Sequence, residues 1–83
     1  MEQIVINRTN FMRALSAGTF SEYIIHVVAD RHSIIARNSN GTEFILGTTG
    51  SDMRTWSNIT KPAEFLRDCG IETFTVHYTK VSS

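Results

Sequence analysis

The side chains with the greatest chemical reach in this sequence are one thiol, Cys69, and three imidazoles, His26, His32 and His77. A cysteine nucleophile needs a base beside it and surroundings that favour the thiolate. Cys69 instead falls on the apolar stripe of a helix, next to Phe65. There a thiol behaves as a small hydrophobe with a raised pKa. The histidines stand at no metal-ligand spacing and no acidic cluster accompanies them, so neither metal nor cofactor is expected. If the strands carrying His26 and His77 pair, the two rings meet, but two ligands do not make a tight site.

Other candidates are weaker still. Gly47-Thr48-Thr49-Gly50-Ser51 is glycine-bearing but lacks the Gly-Lys-Ser/Thr ending of a phosphate loop. Glu64 and Asp68, four apart on a helix, mark its solvent side rather than an acid–base pair. Arg54 and Trp56 alternate on a short edge strand, with Arg31, Arg37 and Lys61 as further cations. Arginine beside an aromatic is the composition of a protein-interface anchor and also of a platform on which single-stranded bases stack. A lone Trp in so small a domain is more often part of the core or its rim.

The elements that must position these groups are legible from spacing. Ile4-Val5-Ile6 is a β-prone run. Thr9 or Asn10 can cap a short helix ending at Gly18, with Phe11, Ala14 and Leu15 on one stripe. Tyr23 to Val28 and Ser33 to Arg37 read as strands, separated by a turn over Ala29 to His32. Asn38-Ser39-Asn40-Gly41 is a turn whose residues tolerate positive φ, and Thr42 to Leu46 returns from it. Met53 to Trp56 reads as the short edge strand. Thr60 stands as N-cap to a helix with Pro62, Phe65, Leu66 and Cys69 on one face. Gly70 stops it, Ile71 closes back on its last turn, and Glu72 to Tyr78 alternates as a half-buried final strand. The order β-α-β-β-β-(β)-α-β predicts an α+β fold. It consists of a mainly antiparallel four- to five-stranded sheet with two helices on one face.

Helices on one face need one apolar row per strand, yet the meander offers two. The row that the helices do not cover therefore carries Ile24, Val28, Ile35 and Ile45, or their counterparts on the alternate row. A chain of 83 residues forms a single domain. It buries only ~60–65% of its unfolded surface and has no second cysteine for a disulfide. A second copy or another protein covering that face is therefore expected, the alternative being a mildly apolar face open to solvent, which antiparallel sheets tolerate.

Eight basic residues balance eight acidic ones, whereas non-specific nucleic-acid binders are basic overall. Met-Glu-Gln-Ile-Val-Ile lacks the basic region and long apolar stretch of a signal peptide, and no apolar run approaches membrane-spanning length. A cytoplasmic location is expected.

Met53-Arg54-Thr55-Trp56, the helix Ala63-Glu64-Phe65-Leu66-Arg67-Asp68-Cys69, Gly70-Ile71 and Phe74-Thr75-Val76 together give this half of the chain a pattern. An Arg-x-aromatic is followed by a polar cap, a helix ending in Phe-Leu and Gly-Ile, and a strand. It resembles small accessory proteins of plasmids, phages and integrons, including the ParC-like partition-associated group. The resemblance covers about residues 42 to 78 and rests largely on helix-stop-strand grammar. It implies an accessory protein of a bacterial mobile element, without catalysis. The expected function is therefore non-catalytic protein binding, as a homodimer or with a partner, through Ile24, Val28, Ile35, Ile45, Arg54 and Trp56. The alternative is a nucleic-acid-binding factor using Arg31, Arg37, Arg54 and Lys61. A small enzyme with an active site shared across a dimer ranks third.

Overall fold

The computed structural model describes residues 3–47 and 55–79. Its elements are β1 (Gln3–Ile6), α1 (Arg8–Ser16), β2 (Phe20–Val28), β3 (Arg31–Asn38), β4 (Glu43–Leu46), α2 (Thr60–Asp68) and β5 (Thr75–Thr79). The fold is α+β. Both helices stop as their glycines require. Gly18 and Gly70 take φ of 74° and 86°, and the paired closing bonds Thr19 N–Ala14 O and Ile71 N–Leu66 O are formed.

The caps differ from the sequence expectation. Asn7, not Thr9 or Asn10, caps α1, its Oδ1 accepting from the Asn10 amide at 2.8 Å. Thr60 is the first helical residue of α2, and Asn58 Oδ1 receives the Lys61 amide at 3.3 Å. In both places several neighbouring Asn and Thr residues can cap, and it is an Asn that does so. The helix start is chosen by which register buries Phe11 and Leu66, both fully buried.

The sheet order is β1-β4-β3-β2-β5. The β2-β3-β4 meander is antiparallel as expected, but β1 pairs parallel to β4 and β5 parallel to β2. The sheet is therefore mixed rather than purely antiparallel. The reason is the two helices: each carries the chain back to the end of the sheet where the preceding strand began, so the strands it links run the same way. Both crossovers move in one direction across the sheet, and the right-handed rule places both helices on the same face. Phe11 from α1 and Leu66 from α2 accordingly share one core with Phe20, Ile25, Val27, Ile34, Ala36 and Leu46.

Three further details depart from the spacing. The first hairpin turns on Ala29 and Asp30 alone, since Arg31 already pairs with Val28. Ala29 takes φ 53° there, a region that favours glycine. In the expected edge strand, Trp56 forms a single antiparallel bridge to His32, while Met53 and Arg54 lie outside the described residues. The last strand is mostly exposed rather than half-buried, with Val76 its one half-buried member. It lies at the margin, where the helices cover it least. Among the described residues no helix is long and apolar enough to cross a membrane.

Candidate functional site: the open face of the sheet

Strand register assigns the side chains to faces, because paired residues point the same way. The face away from both helices carries four cross-strand rows. The first is Gln3–Glu43–Arg37–Glu22, the second Val5–Ile45–Ile35–Ile24–Thr75. The third is Ser33–His26–His77, and the fourth Arg31–Val28–Thr79.

The first row is a bar of polar bonds. Arg37 Nη1 donates to Glu22 Oε1 at 2.8 Å and Nη2 to Glu43 Oε2 at 2.7 Å, while Gln3 Nε2 donates to Glu43 Oε1 at 2.7 Å. The Gln3 bond, then the Arg37 bond, holds the Glu43 carboxyl below its ordinary value of 4.5, against the opposing effect of burial. The Glu43 hydrogen bond leads in raising the Arg37 guanidinium, with burial opposing it.

The second row is the aliphatic stripe. Ile24, Ile35 and Ile45 form a separate hydrophobic cluster, each less than a tenth exposed, whereas Val5 and Val28 are 37% and 39% exposed. The isoleucines are thus shielded within their own chain, flanked by the polar bar on one side and the imidazoles on the other. The row is therefore a shielded stripe rather than the bare patch that its apolar count predicts. Long neighbouring side chains on a sheet can cover a single aliphatic row without a helix.

In the third row the His26 and His77 rings stack, with centroids 5.4 Å apart and planes 15° from parallel. His26 Nε2 is hydrogen-bonded to the Thr79 hydroxyl, and Ser33 Oγ donates to the His26 carbonyl at 3.3 Å. Beside these rows lies a recess of about 380 Å³ whose lining includes His26, Val28, Arg31, Ser33, Ile35 and Ile45. Its walls are mainly apolar, with an imidazole and a guanidinium in the lining. A wider and more open depression of about 770 Å³ follows the outer side of α2, from Ile59 to Phe74. Glu64, Arg67 and Glu72 bring both charge signs to its lining without convergence.

The other candidate residues are dispersed. Trp56 packs against the helix-side core, so the structure does not bring it onto the open face with the isoleucines. Arg54 lies outside the described residues. Of the cations considered for nucleic acid, Arg37 is held between two carboxylates, Arg31 is exposed at the start of β3, and Lys61 is exposed on α2. The Cys69 Sγ faces the Met12 thioether at 3.5 Å. Burial raises its pKa, partly offset by Arg8, which is the opposite of nucleophile activation. Nothing local in the sequence marks Gln3, Val5 or Glu22 for this surface, and Glu43 stands out there only as one of several carboxylates that form no acid–base pair. Alternation alone marks Val5 as a face residue, but its row depends on the parallel pairing with β4.

The polar bar makes stability depend on acid in a definite direction. Glu43 holds its proton less tightly folded than unfolded, so below its ordinary value of 4.5 the unfolded chain binds the extra proton. Its contribution is complete above that value and is lost as pH falls through the lower folded value. The urea midpoint is expected to drop on acidification from neutrality to about pH 3. Glu43→Gln should flatten that limb, and an unchanged slope in the variant would show that Glu43 is not its source.

Comparison of the chain with protein-family models, curated proteins and solved structures finds no match.

Proposed function

We propose that this chain is a non-catalytic protein-interaction module whose recognition surface is the open face of its sheet. One observation carries the reading: both helices serve the other face, and beside the shielded isoleucines this face leaves a 39%-exposed Val28 and a recess lined by Ile35 and Ile45. An apolar floor with a few convergent polar groups is the ground on which a partner's aliphatic side chain gains most. Arg31, His26 and Ser33 supply the polar part. The disposition of Cys69 supports a role without covalent chemistry. The resemblance of residues 42 to 78 supports an accessory protein of a bacterial mobile element, acting in the cytoplasm.

A photoreactive benzophenone side chain at position 28 tests this, with the same group at the exposed Asp68 of α2 as control. In cells, position 28 is expected to give a discrete protein adduct and position 68 none. No adduct at position 28, or equal yields at both, would remove the open face as the binding surface. A salt-dependent gel shift carried by the same protein would instead favour nucleic acid.

A further inference from the structure

We propose that two copies of this chain join along the outer edge of β5, antiparallel about a two-fold axis at His77. On its inner side β5 pairs with β2 in unbroken register from Ile24–Thr75 to Val28–Thr79. Its outer side has no partner strand among the described residues. Four of its five residues are exposed, and Tyr78 is 69% exposed. Proteins usually blunt such an edge with lysine, proline, a bulge or a covering segment. Thr-Val-His-Tyr-Thr has no charge and no proline, and its pairing shows no bulge.

The occupant follows from symmetry. An antiparallel two-fold pairing sets one residue against itself and its neighbours against each other in reverse order. With His77 at the centre, all five residues find partners: Thr75 meets Thr79 of the second copy, and Val76 meets Tyr78. These are the threonine–threonine and aromatic–branched pairs that stabilise cross-strand neighbours. The two-fold keeps the helices of both copies on one side of a continuous sheet. No charged side chain on the strand opposes its copy, and the chain's formal net charge is zero, so two copies approach without repulsion. The contact is isologous and closes at two subunits. Five residues a side bury less than a standard interface, so dissociation constants on the order of ten to a few hundred micromolar are expected. This contact does not rest on the open-face reading, and its failure leaves the position-28 adduct unaffected.

Sedimentation velocity across the micromolar range tests it, with circular dichroism confirming the fold of each variant. The wild type should pass from monomer to dimer as concentration rises. His77→Lys and His77→Glu, each alone, set like charges directly opposite and should weaken association at least tenfold. An equimolar mixture of the two should dimerise again, now with Lys facing Glu. Tyr78→Ala removes an exposed ring paired twice across the axis, and should weaken the dimer about five- to tenfold. A wild type monomeric throughout, a dimer that both charged variants retain, or a mixture that stays monomeric would each overturn the proposal.

Discussion

Phe11→Ala is expected to leave the chain largely unfolded at room temperature. Phe11 is fully buried, and its ring lies 5.2 Å from that of Phe20 and 5.9 Å from that of Phe65. It therefore ties α1 to the sheet and to α2 at one point. Truncating a buried phenylalanine costs about 3–5 kcal/mol, and each lost ring pair adds to that. A domain of this size, without disulfides, holds on the order of 5 kcal/mol in total. Urea denaturation followed by far-ultraviolet circular dichroism is the measurement. Phe11→Leu keeps most of the apolar volume and should remain folded. If Phe11→Ala has a midpoint near that of the wild type, the two helices are not joined through this ring.

The parts of this fold that could be read in advance are those fixed by neighbours in sequence. The stripe Pro62-Phe65-Leu66-Cys69 located the buried side of α2 because helix period is local, and Pro62 and Leu66 are indeed buried. Asn38-Ser39-Asn40-Gly41 located its turn because the Asn38 side chain bonds the Asn40 and Thr42 amides and Gly41 supplies φ 87°. The strand directions at the sheet's margins were not legible. They depend on which edge each helical crossover reaches, and nothing within β1 or β5 specifies that.

The candidate site divides the same way. Strand alternation put Ile24, Ile35 and Ile45 on one row, and the structure gathers them. What flanks them comes from strands far apart in the chain. Gln3 reaches Glu43 across 40 positions, and His26 meets Thr79 across 53. Apolar count therefore suggested a bare patch where the fold places a shielded stripe beside a recess. Polar side chains from β1 and β5 complete the surface, and no local pattern announces them.

Ile34→Ala and Ile35→Ala, adjacent in sequence and alike in the atoms removed, are expected to differ in cost. Ile34 is fully buried in the helix-side core, while Ile35 is 6% exposed on the open face and lines the recess. Deleting the same groups loses the same transfer free energy, so the difference lies in the cavity left behind. Behind Ile34 the void is sealed under the helices and stays empty. Behind Ile35 it opens into the recess, where water and neighbouring side chains can fill it. Ile34→Ala should cost about 3–4 kcal/mol and Ile35→Ala about 2 kcal/mol by urea denaturation. Ile35→Ala should then remain folded yet reduce the adduct formed from position 28, because it deepens the floor that a partner's side chain would occupy. Equal costs at the two positions would mean that the open face is as sealed as the core. The recess would then be too closed to admit a partner.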